Sequence, residues 1–253
     1  GGGVYVDTST FKMHTHTIGP TNKATVDDGG GLYLIGPTVS ATTDLASVII
    51  SNEAARHGGG VYISPLAGTA SYTLTGTNSK IESNTAVQHG AGVYADGAAV
   101  TVTVDDTAVI KSNTATQNGG GVYGTNSATI KVKGTSVVES NTAVDGGGLY
   151  MLKATCQVTS SSTLKSNTAS ANGGGWHADG STMTLTDVTV TTNTATTNGG
   201  AGYMTKAIAG AGFTSSVDLT GASSQVTNNT ATTGGGGGVY FHDSTTGTIT
   251  SAT

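Results

Sequence analysis

Few side chains in this sequence are suited to chemistry, and those few recur at fixed spacing. His14-x-His16 would set two imidazoles on one strand face, as a metal site does. No third ligand is evident, so two solvated strand residues is the favoured reading. Asp27-Asp28 and Asp105-Asp106 are the only adjacent carboxylate pairs. Acid/base catalysis or calcium binding needs carboxylates that converge, whereas neighbours on a strand point to opposite faces. Both pairs read better as solvated bends. Cys156 lies in the phase of buried aliphatics and reads as a small core hydrophobe. Glycine triads suggest a phosphate loop, but phosphate loops open a helix and these precede apolar pairs. Thr-x-Thr pairs at Thr73/Thr75, Thr101/Thr103, Thr182/Thr184 and Thr189/Thr191 could order water on a flat face, yet Lys131, Lys133 and Gln157 interrupt them.

Two residue types stand out by repetition. Asparagine recurs as Asn22, Asn52, Asn84, Asn113, Asn141, Asn167, Asn193 and Asn229. Tyrosine recurs as Tyr5, Tyr33, Tyr62, Tyr94, Tyr123, Tyr150 and Tyr240, with His177 and Met204 read as exceptions in that column. The residue before each tyrosine is Val or Leu, and Trp176 and Tyr203 take that place in the two exceptional copies. If the aliphatics point into a core, the tyrosines point out and form an exposed contact ladder.

The elements that carry these columns follow from a repeat. Triads begin at Gly1, Gly29, Gly58, Gly90, Gly119, Gly146, Gly173, Gly200 and Gly236, at intervals of 28, 29, 32, 29, 27, 27, 27 and 36 residues. Such a period marks a repeat architecture. Each unit holds three apolar stretches. One follows the triad, as in Val61-Tyr62-Ile63. The second alternates strictly, as in Val102/Val104, Ile130/Val132, Cys156/Val158, Met183/Leu185 and Val217/Leu219. The third ends on the aliphatic three residues before the asparagine: Ile49, Ile81, Ile110, Val138, Leu164, Val190 and Val226. Alternation with period two means strands with one buried face. The chain is therefore expected to be all-β, a parallel β-helix (β-solenoid) with three short strands per coil and eight to nine coils. At the spacing of paired strands it would be roughly 40 Å long.

Stacked coils turn each repeated position into a column. An asparagine at one bend of every coil can bond its copies above and below, satisfying a buried polar group and pinning register. The residue before each triad is Asp28, His57, His89, Asn118, Asp145, Asn172, Gly199 or Gly235, and this column reads as a left-handed bend. The third triad position is read as glycine in all nine copies, while the second accepts Ala91 and Ala201. Gly19 stands where an aliphatic is expected before Asn22. An insertion around residues 207–212 accounts for the 36-residue interval.

Composition narrows the function. The net charge is −5 and Arg56 is the single arginine, so no basic stripe for nucleic acid or anionic lipid exists. The longest aliphatic run, Val48-Ile49-Ile50, is far too short to span a bilayer, and no membrane insertion by this segment is expected. One cysteine rules out an internal disulfide framework. The chain opens within the repeat pattern and reads as a mature product or a section of a longer array, residues 1–253 forming one solenoid domain.

The pattern aliphatic-x-x-Asn-x-Ala followed by Gly-Gly-Gly-Val-Tyr, as in Ile110–Tyr123, resembles the repeat of the polymorphic outer-membrane protein family. That family pairs an aliphatic-x-x-Asn box with a Gly-Gly-Ala-aliphatic box. The resemblance implies a right-handed parallel β-helix exposed at the cell surface and acting as an adhesin. It differs here in having Gly for Ala in the triad and Tyr after the aliphatic. The expected function is thus an extracellular structural or adhesive module of a surface protein or fibre. No cofactor is expected. Its expected partners are other copies of itself, head to tail or lateral, and a glycan or host/cell-surface ligand. An enzyme that binds or degrades polysaccharide is the alternative, and the single arginine and scattered carboxylates weigh against it.

Overall fold

Short β-branched, alternating segments separated by Gly, Asn and Ser can bury their apolar side chains only against other coils. A computed structural model of the chain describes residues 1–206, 214–243 and 245–250. In these residues the chain winds as a parallel β-solenoid of four sheets. The coil that begins at Val93 is representative. It runs Val93–Asp96, Val100–Val104, Val109–Lys111 and Thr114–Ala115, contributing one strand each to sheets I, II, III and IV. Sheets I and II have nine strands and sheets III and IV eight, each stacked in chain order and parallel throughout.

Three strands per coil were expected and four are present. The fourth is the Thr-Ala pair after each ladder asparagine, such as Thr85–Ala86 against Thr114–Ala115. Two residues are too few to show alternation, so the pattern is silent there. Sheets I to III follow it closely. Val102, Ile130, Cys156, Met183 and Val217 pair in unbroken register. Inward residues of sheets I, II and III form one continuous core in which Leu32, Ile49, Ile63, Ile81, Ile110 and Leu149 are fully buried. Cys156 lies within it, and burial pushes its thiol up to about 12. Tyr72 is also inside, on the column of Ala41 and Val102, and its hydroxyl donates to Thr43 Oγ1 at 3.1 Å. A small residue in the adjoining coil makes room for a large one.

The bends depart from expectation in three places. The left-handed residue is the first glycine of each triad, with φ between 62° and 70° from Gly29 to Gly236, and not the residue before it. A second left-handed bend falls on the residue before the asparagine: Ser51, Ser83, Ser112, Ser140 and Ser166 have φ of 53–57°. In the first coil the aliphatic is Ile18, paired with Ile49. Gly19 belongs to a one-residue excess before Asn22, where a Cβ would lie 1.9 Å from the Ile50 carbonyl oxygen. The eighth triad begins at Gly199, not Gly200, so Ala201 takes the third place and Gly202 the aliphatic place, opposite Trp176. A Cβ on Gly202 would sit 2.0 Å from the Trp176 indole. The indole thus fills the volume of two inward positions, and the third triad position does admit alanine. The residue before this triad is Asn198, bridged to Asn172. The expected insertion at 207–212 lies outside the described residues.

Candidate functional site

The asparagine column is a ladder built by the bend. With Ser112 left-handed, Asn113 turns inward at 0 % exposure, and its Nδ2 donates to the Ile81 carbonyl (3.1 Å) and to Asn141 Oδ1 (3.0 Å). Its Oδ1 accepts from the backbone and side-chain nitrogens of Asn84, both at 3.0 Å. The same pattern runs from Asn22, bonded to Asn52 at 2.9 Å, through Asn84, Asn141, Asn167 and Asn193 to Asn229. Every buried amide is satisfied, so this column is structural.

The aromatic column lies on the outer face of sheet I. Tyr5, Tyr33, Tyr62, Tyr94, Tyr123, Tyr150, His177, Tyr203 and Tyr240 are in register. Tyr203 therefore fills the column, and Met204 points into the core beside Ala178. From Tyr5 to Tyr150 the rings stack with centroids 4.9–5.3 Å apart and planes within 9°. His177 breaks the parallel run, tilted 38° from Tyr150 and 57° from Tyr203.

An exposed ladder was expected, and the rings are exposed only at one end. Tyr5 is 60 % exposed, Tyr33, Tyr62, Tyr94 and Tyr240 are half-buried, and Tyr123 and Tyr150 are buried at 5 % and 7 %. Over Tyr94 and Tyr123 the cover comes from the bend before the triad. His57 stacks on His89 (5.3 Å) and on Tyr94 (4.5 Å), and His89 stacks on Tyr123 (4.7 Å). Side-chain direction was readable from alternation, but what lies over it was not. Burial and then nearby carboxylates push the phenols up, Tyr62 and Tyr123 to about 12, with Tyr94 and Tyr150 higher still. These four phenols are therefore neutral at physiological pH. Because ring faces meet each other, what remains for a ligand is ring edges and hydroxyls.

The covering column has its own bonds. Asp28 Oδ1 accepts from His57 N (3.0 Å), Asp145 Oδ1 from Asn172 N (2.9 Å) and Nδ2 (3.1 Å), and Asn198 donates to Asn172 Oδ1 (3.2 Å). Burial lifts Asp28 to about 6 despite Arg56, which pairs with Asp27 at 3.1 Å. Burial, then His89 and Arg56, lower His57 to about 4. Asp105 pairs with Lys133 at 2.6 Å, and Asp106 accepts from Thr75 (2.6 Å) and Gly76 N (3.2 Å), so both acidic pairs are spent on bends.

Acid/base groups approach one another at His177. Its Nδ1 lies 3.7 Å from Asp145 Oδ1, and both ring nitrogens lack hydrogen-bond partners among the described residues. Burial alone would raise Asp145, but His177 and Asn172 outweigh it and hold the carboxyl below its ordinary value. Asp179, two residues along, is raised by burial. This grouping was missed in the sequence because Asp145 is a coil away from His177. The His14/His16 pair is not on one strand face: Thr10–His14 ends the strand, Thr15 is left-handed, and His16 Nδ1 turns back to the His14 carbonyl. His14 Nδ1 meets Asp44. Among the described residues no group of three His, Cys, Asp or Glu could hold a metal ion.

Parallel register in four sheets and a buried asparagine ladder define the architecture, and a family comparison agrees. The family described as right handed beta helix region matches residues 69–253. The chain belongs to the right-handed β-helix family. Comparison with curated proteins and with solved structures returned no match. Among the described residues of this β-helix no helix is long and apolar enough to cross a membrane.

Proposed function

We propose that this β-helix is an extracellular structural and adhesive module, a stretch of a surface protein or fibre. The observation that carries the reading is that its repeated polar and aromatic columns bond coil to coil. The asparagines saturate one another, the rings stack face to face, and charges pair between coils, as in Lys111–Glu82 (3.1 Å) and Lys165–Glu139 (3.0 Å). Such spending of side chains on cohesion suits a rod. The likeness of its repeats to polymorphic outer-membrane proteins supports placement at a cell surface. The ring edges of Tyr33, Tyr62 and Tyr94 are the surface offered to a glycan, a cell-surface ligand or a second rod, and the outermost strands offer head-to-tail pairing. Tyr33→Ser with Tyr62→Ser tests this. Weaker binding to glycan-coated or cell surfaces, or less bundling in sedimentation, supports it if the melting transition persists. Unchanged binding and sedimentation sink it.

The competing reading is an enzyme acting on polysaccharide, and the unpartnered His177 beside Asp145 favours it. Release of new reducing ends or unsaturated products from acidic polysaccharides, abolished by Asp145→Asn, would replace the structural reading. His177 is 5 % exposed under the ring stack, which weighs against access for a polymer.

A further inference from the structure

The outer face of sheet IV carries a third ladder, whose side chains, unlike those of the other two, bond nothing among the described residues. Thr85, Thr114, Thr142, Thr168, Thr194 and Thr230 pair in parallel register, one per coil. All are exposed except Thr194, which is half-exposed. Their backbones bond across the sheet, but none of their six hydroxyls has a hydrogen-bond partner among the described residues. Threonines elsewhere do bond: Thr75 to Asp106, Thr135 to a carbonyl, Thr186 to Thr220. Two residues on, Val87, Thr116, Val144, Ser170, Thr196 and Thr232 are exposed as well; Val144 is shifted, its N–H bonding to Gln117 where its counterparts bond to the alanine of the previous coil, and the Thr116 and Thr232 hydroxyls donate to the Val87 and Thr196 carbonyls. Neither column carries a charge across these six coils. In the first two coils the same place is taken by the Lys23–Glu53 ion pair at 2.8 Å.

The spacing of this array is fixed twice over. Coils repeat at ~4.8 Å and residues i and i+2 at ~6.7 Å, which gives a two-dimensional lattice of hydroxyls and methyls. Beneath it the inward alanines, Ala86, Ala115 and Ala143, pack with Ala91, and beside it the asparagine ladder repeats at 3.0 Å bond by bond. Threonine is stiff at χ1, so little side-chain freedom remains to be lost on binding. Each hydroxyl of the Thr85–Thr230 column offers one donor and two acceptor sites, and each methyl restricts the orientation of first-shell water. An uncharged lattice of this kind holds water in an ordered layer. Its two repeats are close to the oxygen repeats on a prism face of ice. The face presents no aromatic ring for a sugar to stack on, which favours ice over a neutral crystalline polysaccharide.

We propose that the sheet IV face of coils from Thr85 to Thr232 binds ice through an ordered water layer. This inference concerns a different face from the aromatic column and does not depend on the adhesive reading. The test is growth of single ice crystals in solutions of the purified chain, with the freezing hysteresis measured. Faceted crystals and a measurable hysteresis are expected. Thr114→Lys with Thr142→Lys should lose most of both while keeping the far-ultraviolet spectrum, and Thr184→Lys on sheet II should keep both. Crystals of the unaltered protein that grow as smooth discs with no hysteresis overturn the proposal, whatever the variants do. Sedimentation with crystalline cellulose or chitin, without ice shaping, also overturns it and assigns the face to polysaccharide.

Discussion

The asparagine ladder and the aromatic ladder are made by the same operation, one residue type repeated at one position of every coil. They end in opposite chemical conditions. Six asparagines, Asn52 to Asn193, lie at 0–1 % exposure and each amide bonds its neighbours and a carbonyl, so one lost member strands groups on both sides. The rings are held by stacking, which has no fixed partner atom, and the column admits His177 with a tilt. Cooperative polar columns demand identity, whereas stacked columns demand only an aromatic shape.

The sharpest way to break this contrast is Asn113→Ala. It strands the Asn84 N–H and the Ile81 carbonyl in a buried bend and should cost about 3 kcal/mol or more. Denaturant titration reads this as a lowered midpoint, and an unchanged midpoint would remove the ladder from the account of stability. Next in size is Gly202→Ala, whose Cβ collides with the Trp176 indole. A loss of about 2 kcal/mol is expected, recovered in part by adding Trp176→Leu. Without recovery in the double variant, the pair is not the cause of the shifted triad.

Within the aromatic ladder, Tyr123→Ala should cost about 1–2 kcal/mol and Tyr5→Ala less than about 0.5 kcal/mol, because Tyr123 stacks on both faces and Tyr5 on one. Equal effects at the two sites would mean that burial along the ladder does not grade its energy. The smallest effect concerns the covering column. Asp28 binds its proton more tightly when folded than when unfolded, so the fold is penalised above about pH 6, and the penalty fades as pH falls towards 3.8. Asp28→Asn keeps an acceptor for His57 N. It should therefore stabilise the protein at pH 7.5, by an amount on the order of 1 kcal/mol, and make no difference at pH 4. Thermal melts at the two pH values decide it, and a benefit that grows in acid would reverse the assignment.

Most of the solenoid was readable because alternation and a 27- to 32-residue period are properties of the chain alone. Val102 through Val217 fall in register as their phase predicts. Sheet IV was not readable, since Thr-Ala pairs show no alternation, and with it the threonine lattice was missed. The threonine pairs that alternation does show lie on sheet II, where Lys131 and Gln157 interrupt them. The run Gly199-Gly200-Ala201-Gly202 allows two registers on sequence grounds, and the bulk of Trp176 in the preceding coil selects one. The burial of Tyr123 depended on His89 in a neighbouring bend and that of Tyr150 on the rings either side of it, which no single-coil pattern encodes.

Parallel pairing of each coil with only the coils before and after it has a mechanical consequence. A load applied to the two ends of such a rod is carried in series, and no strand far along the chain shares it. Under tension the outermost coil would peel away first and leave the next one as a fresh end of nearly the same cross-section. Each event would release one coil's worth of chain, roughly 9 nm when drawn out. Extension would then proceed as a train of similar steps, and the rod would dissipate a pull gradually without parting at a single rupture.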